Sequence, residues 1–142
     1  MDRLTQERRS ENMRKIRARD TSPELSVRRL VHGMGFRYRL HVTKLPGKPD
    51  LVFPRLRRII EVRGCFWHRH PGCIDSHIPK SRIEYWLPKL TRNRRRDREN
   101  EKRLRAAGWD VLTIWECESK EPSVVARRIR DFLTPNDADR SA

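Results

Sequence analysis

Nine consecutive residues, Cys65-Phe66-Trp67-His68-Arg69-His70-Pro71-Gly72-Cys73, hold two thiols, two imidazoles and two large rings. A third cysteine, Cys117, follows a distant apolar run that ends in Trp115-Glu116. Three cysteines cannot all pair with one another, so a disulfide framework leaves one thiol over, whereas a shared ion takes three thiolates and one imidazole without remainder. Zinc favours four such ligands in a tetrahedron, and a closed Cys/His set is structural because no position remains for a reacting water. Cys65, His70, Cys73 and Cys117 fill that set, with His68 as the alternative imidazole. The fold must then bring the end of the run from Val111 to Trp115 beside the Pro71-Gly72 loop. The plainer alternative is three reduced core thiols and two surface histidines.

With 142 residues, 35% of them hydrophobic, the chain can build one modest core and not two. Met1 to Asp20 is almost wholly polar and lacks an apolar h-region, so the cytoplasm is the expected compartment, and no stretch reaches the length of a membrane span. Residues 1–20 read as an arm that orders on a partner, 21–134 as the folded domain, and 135–142 as a small polar, disordered tail. Thr21-Ser22-Pro23-Glu24 is a helix start, with a hydroxyl cap, proline in the first turn and an acid at the positive end of the helix. Leu25, Val27, Leu30 and Val31 form its buried side, and Gly33 and Gly35 end it.

Phe36 to Leu40 alternates like a half-buried strand. The turn Leu45-Pro46-Gly47-Lys48-Pro49 delivers Asp50 to a second strand, and Arg57 to Val62 supplies a third. Arg82 to Ala107 reads as helix in two pieces, because Pro88 lacks an N–H and suits a first turn. Gly108 closes that helix before the buried strand Val111 to Trp115, and Pro122 opens a last helix carrying Val124, Val125, Ile129, Phe132 and Leu133. This order predicts an α/β fold, a mixed central sheet flanked by helices on both faces.

An aspartate at one strand end, followed about ten residues later by an acid-x-base triplet on the next strand, is how nucleases hold a divalent ion against a phosphate; Asp50 and Glu61-Val62-Arg63 fit it. Pro-Asp turns are common and a strand glutamate is often a solvated edge residue, so spacing alone is a weak signal. His68, an imidazole that can accept a proton, supplies a candidate general base.

The formal charge is +15, from 34 Lys and Arg against 19 Asp and Glu, and arginine, the planar phosphate-gripping side chain, predominates. Nucleic acid is the partner such a surface selects, with Arg92, Arg94, Arg95, Arg96 and Arg98 loading one helix. Phe66 and Trp67 share a short loop from which at least one ring projects, and Trp86, beside Tyr85, is a further ring of the kind that wedges between base pairs.

Arg9-Ser10-Glu11-Asn12-Met13-Arg14, Leu45-Pro46-Gly47-Lys48-Pro49-Asp50, Gly64-Cys65-Phe66-Trp67-His68, Tyr85-Trp86-Leu87 and Gly108-Trp109-Asp110-Val111-Leu112 with Trp115-Glu116-Cys117 together resemble the very short patch repair (Vsr) endonucleases, from about Arg9 to the last helix. The resemblance implies a restriction-endonuclease-like PD-(D/E)XK core with a structural zinc site. It also implies Mg²⁺-dependent nicking of double-stranded DNA on the 5′ side of the thymine in a T:G mismatch left by deamination of 5-methylcytosine. Asp50 resembles the metal-binding aspartate, His68 the catalytic histidine and Glu24 the acid behind the metal waters. Cys65, His70, Cys73 and Cys117 match the zinc set, with one extra residue before Cys73. Phe66, Trp67 and Trp86 match the intercalating rings, Met13 the residue inserted from the other groove, and Lys89 and Asn93 the contacts to the mismatched pair.

One departure matters. Where the best-known members carry Thr-His before Gly-Cys-Phe-Trp, this chain has Val62-Arg63 after Glu61. Valine still offers a backbone carbonyl to a metal, but Arg63 stays charged and cannot act as a base. Phosphate is then a candidate partner for Arg63 and Glu61 a candidate second metal-holding acid beside Asp50, but neighbouring strand residues point to opposite faces, so sequence leaves the facing of Glu61 open. The expectation is a monomeric nicking endonuclease at the nucleoid, working with a repair polymerase and other repair proteins. The alternatives are a catalytically silent zinc-stabilised DNA-binding module and a nuclease of different specificity, such as a partner of a methyltransferase.

Overall fold

The computed structural model describes residues 22–73 and 80–134. The arm of residues 1–20 with Met13, the Thr21 cap and the tail from Pro135 lie outside the described residues. Helix α1 spans Ser22–Gly33, strand β1 Arg39–Leu40, β2 Leu51–Phe53 and β3 Arg58–Arg63. Helix α2 spans Ile83–Ala106, β4 Asp110–Trp115, a 3₁₀ turn Glu116–Lys120, and α3 Pro122–Leu133. The four strands form one mixed sheet in the order β1-β2-β3-β4, antiparallel except for the parallel β3–β4 pair. The expected α/β architecture is therefore observed.

Strand alternation sends side chains to opposite faces of the sheet. Leu51, Phe53, Ile60 and Ile114 face one way and pack against Val27 and Val31 of α1 and Val125, Ile129 and Leu133 of α3. Val52, Ile59 and Val111 face the other way, against Leu104 of α2 and Trp109. Helices thus cover both faces, and the parallel β3–β4 connection is the α2 crossover that such a pairing requires.

Three elements differ from the sequence expectation. The first strand shrinks to the exposed pair Arg39–Leu40, although Phe36 and Tyr38 still pack on the core. The helix start holds, but its buried residues are Glu24, Val27 and Val31, with Leu25 and Leu30 only half-buried. Helix α2 is one continuous helix with Pro88 inside it. Pro88 removes the N–H that would serve the carbonyl of Glu84, and both residues are exposed, so water can serve that carbonyl instead. No helix among the described residues is long and apolar enough to cross a membrane.

Ile129 is fully buried where α3 meets the sheet. Ile129→Ala should destabilise the domain by about 2–5 kcal/mol, read as a lower urea midpoint with an unchanged slope. A loss below about 0.5 kcal/mol would mean that α3 is not part of the cooperative core.

Candidate active site and metal centre

The end of β1, the start of β2, the ends of β3 and β4 and the first turn of α1 meet at one end of the sheet. Two clusters of ligand-type side chains form there. Cys65, His70, Cys73 and Cys117 bring their ligand atoms within 4.8 Å of one another. His70 Nδ1 lies 3.7 Å from the Cys65 sulfur and 3.4 Å from that of Cys117, and its ring stacks on Trp115 at 4.2 Å. Local structure explains the convergence. Residues 64–73 coil through the bonds His68 N to Gly64 O, His70 N to Cys65 O and Cys73 N to His70 O. Cys117 sits in the 3₁₀ turn, held by Trp115 N donating to Glu118 Oε1 at 3.0 Å and by the Glu118–Arg128 ion pair to α3.

Burial pushes the Cys65 thiol up to about 12, and burial raises Cys117 as well. A cation among them reverses that preference, since a coordinating thiol is deprotonated outright. The set is therefore a group of three sulfurs and one nitrogen that could hold a metal ion, and the imidazole in it is that of His70, not His68.

Asp50 sits at the mouth of β2, where its Oδ2 accepts the Val62 N–H at 2.7 Å. Glu61 turns toward it, near enough for each carboxyl group to influence the other. Sequence left the facing of Glu61 open; its side chain shares the Ile59 face of β3, opposite that of Ile60. Burial pushes Asp50 up to about 6, with the charge of Glu24 adding and the Val62 N–H opposing. Burial and then the Asp50 charge raise Glu61 well above the carboxylate range, while Arg63 nearby opposes. Arg63 also lies 6.0 Å from the Trp115 ring centre.

His68 Nδ1 lies 2.5 Å from Asp97 Oδ2 of α2. A carboxylate at Nδ1 favours the tautomer with its N–H there, in which the neutral ring presents Nε2 as an acceptor. Neither Asp97 nor His41 was picked out by the sequence. His41 follows β1 directly, opposite Asp50, and its N–H donates to Asp50 O at 3.3 Å. Its Nε2 stands 3.1 Å from Glu24 Oε1, which also accepts from Arg28 at 2.9 Å. Glu24, His41 and Asp50 form the second group of ligand atoms within 4.8 Å. The signal for Asp97 was its heptad spacing between Leu90 and Leu104, both buried on α2. That for His41 was its place across a hairpin turn from Asp50.

The rings pack together rather than stand out. Trp67 is buried and Phe66 half-buried, contrary to the projecting loop read from sequence. Phe66, Trp67 and Trp86 meet edge to face, with centroids 5.1 to 5.8 Å apart, and Tyr85 joins at 4.8 Å from Trp86. Lys89 Nζ lies 5.6 Å from the Trp67 ring, and Asn93 donates to Trp67 O at 3.2 Å. Lys89, Asn93 and Asp97 recur at four-residue spacing, which sets them on one side of α2. Arg94 is half-buried and Arg95 exposed.

A family model described as DNA mismatch endonuclease Vsr matches residues 1–73. The type II nicking enzyme V.XorIIP of Xanthomonas oryzae pv. oryzae is 47% identical over 135 residues, covering 95% of this chain and 98% of that protein. The type II nicking enzyme V.NmeAIP of Neisseria meningitidis serogroup A is 40% identical over 132 residues, covering 93% and 94%. The DNA mismatch endonuclease Vsr of Escherichia coli K12 is 44% identical over 109 residues, covering 77% and 69%.

The raised carboxyl of Asp50 has a measurable consequence for the protein free of Mg²⁺ and Mn²⁺. Between the ordinary value of 3.8 and about 6 the folded state holds a proton that the unfolded state has lost, so this contribution to stability falls as pH rises through that window. Asp50→Asn keeps an acceptor for the Val62 N–H and removes the charge. It should match wild type near pH 4 and become more stable by about 1–3 kcal/mol by pH 7. Denaturant melts at both pH values give the comparison, and a difference that does not grow with pH would contradict it.

Proposed function

The chain belongs to the Vsr family of DNA mismatch endonucleases, and on that premise we propose that it nicks one strand of duplex DNA 5′ to the thymine of a T:G mismatch, by Mg²⁺-dependent hydrolysis. The observation that carries this reading is the Asp50–Glu61 carboxyl pair beside the His68–Asp97 pair at one end of the sheet. Two acids from adjacent strands, with a basic Arg63 two residues after the second, fit a PD-(D/E)XK core.

Asp50, Glu61 and the Val62 carbonyl would be the oxygen donors for Mg²⁺, a hard ion that takes such ligands, with Glu24 behind them. Bound there, the ion supplies charge neutralisation at the phosphate and an acidified water. His68 Nε2 accepts the proton of the attacking water, and Asp97 keeps the imidazole in the tautomer that can do so. Arg63 takes the phosphate and fills electrostatically, not as a base, the place of the family's histidine. Phe66, Trp67 and Trp86 insert beside the mismatch with Met13 from the arm, while Lys89 and Asn93 meet the mismatched pair and Arg94 and Arg95 the backbone. Zn²⁺ suits the three-sulfur, one-nitrogen set. The arm of residues 1–20, the domain of 21–134 and the tail of 135–142 would act as a monomer at the nucleoid, handing its nick to a repair polymerase.

A second reading, a nicking enzyme of different specificity, draws on the printed names of two of the relatives, type II nicking enzymes. The silent-module reading loses its support, because Glu61 beside Asp50 supplies an acid where the family's Thr-His is missing.

End-labelled duplexes bearing T:G, other mismatches or none decide among these. Mg²⁺ should support cutting of T:G duplex alone; equal cutting of all would refute mismatch specificity, and no cutting with any divalent ion would refute the enzyme. Asp50→Ala should abolish nicking with DNA binding retained, and His68→Ala should slow it by about 10²–10⁴-fold. Purified protein should carry one zinc per chain, and a zinc content near zero would remove the ion from the Cys65 set.

A further inference from the structure

His41 has no part in the reading above, yet it stands at the centre of the second ligand group. Its side chain is 15% exposed and its Nε2 points at Glu24 Oε1, itself on a buried side chain of α1. Asp50, directly across the β1–β2 ladder, brings its own carboxylate within 4.8 Å of both. Two carboxylates and one imidazole nitrogen, from α1 and the two ends of the β1–β2 connection, make a donor set of mixed hardness. Oxygen-only sites suit Mg²⁺, whereas an imidazole shifts preference along the series toward Mn²⁺ and Co²⁺.

A separate observation is that a positively charged side chain already lies at this point. Arg28, one turn after Glu24, directs the same guanidinium nitrogen to Glu24 Oε1 at 2.9 Å and to His41 Nε2 at 3.2 Å. A single Nε2 lone pair serves one positive centre at a time, so Arg28 and a metal ion are alternatives at that nitrogen. The guanidinium stands in for an ion.

We propose that His41 Nε2 is a direct ligand, with Glu24 and Asp50, of a divalent cation at the nicking site, and that this nitrogen makes the site prefer Mn²⁺ or Co²⁺ to Mg²⁺. The proposal rests on the metal-dependent nuclease reading and adds to it a ligand, a nitrogen donor and a metal class. It also gives Glu24 a direct bond to an ion rather than a place behind the metal waters. His68 cannot substitute as that ligand while its Nε2 serves the reacting water.

The test is pulsed EPR on the full, zinc-loaded chain with Mn²⁺ as the probe. Zinc in the Cys65 set keeps Mn²⁺ away from His70. Wild type should show modulation from a directly bound nitrogen, altered by ¹⁵N-histidine labelling, abolished in His41→Gln and retained in His68→Ala. The ratio of Mn²⁺-supported to Mg²⁺-supported nicking should fall by about tenfold in His41→Gln, the scale on which a metal-site partner matters. Zinc content and thermal melts establish that this variant folds. If Mn²⁺ binds in an Asp50-dependent manner but without nitrogen modulation, or with modulation that survives His41→Gln, the proposal is overturned while the metal-dependent nuclease stands. If no Asp50-dependent Mn²⁺ binding occurs and no divalent ion supports nicking, the underlying reading fails first.

Discussion

The parallel pairing of β3 with β4 is the constraint from which both sites follow. Its register ends on Arg63 opposite Trp115, and each strand runs on two residues to a cysteine, Cys65 and Cys117. One ladder therefore places two of the four side chains that could hold a metal ion before any loop geometry is considered. A parallel pair cannot be joined by a tight turn. The connection that it demands is α2, and α2 carries Asp97, Asn93 and Lys89 across the same end of the sheet. The staple, the partner of the candidate base and the basic helix are consequences of one strand pairing.

The loop after β3 divides its two histidines by spacing alone. His70 turns to the cysteines and stacks on Trp115, while His68, two residues earlier in a coiled segment, turns to Asp97. Electrostatics at the two centres have a common form. Burial raises thiols in one and carboxyls in the other above their ordinary values, and a bound cation would oppose that shift in each. The fold is thus destabilised locally where it is to act, as expected of sites that need charge concentrated in a poorly solvated place.

Much of this was legible because it is local. The helix start at Ser22-Pro23-Glu24, the α3 stripe of Val125, Ile129 and Leu133, and the clustering of the ligand-type side chains Cys65, His70 and Cys73 are signals written within a few residues. Cys117 joined them by valence arithmetic and chemistry. The facing of Glu61 was not legible, since it depends on which side of β3 receives α2. His41 and Asp97 were missed for a related reason. Each is an ordinary residue in its own neighbourhood and gains meaning only from a partner across a hairpin or a crossover. Pro88 misled in the opposite direction, because a strong local rule yields where the helix face is open to water.

The aromatic cluster shows why a buried ring is compatible with the proposed insertion into DNA. Edge-to-face pairs contribute about 0.5–1.5 kcal/mol each beyond their buried area, and Trp67 makes two such pairs, with Phe66 and Trp86. Unstacking a base step costs about a few kcal/mol, least where pairing is already weak. Inserting the rings then exchanges ring–ring contact for ring–base contact, so the net penalty is set mainly by the DNA step. A protein whose rings stood fully exposed would gain apolar burial at any step it met. One whose rings already satisfy one another gains less from perfect duplex, and the difference in stacking between a T:G step and a matched one becomes a larger share of the balance. On the proposed insertion, packing in the free protein would in this way be a source of discrimination, and Lys89, poised over the Trp67 and Trp86 rings, puts a positive charge beside the cluster.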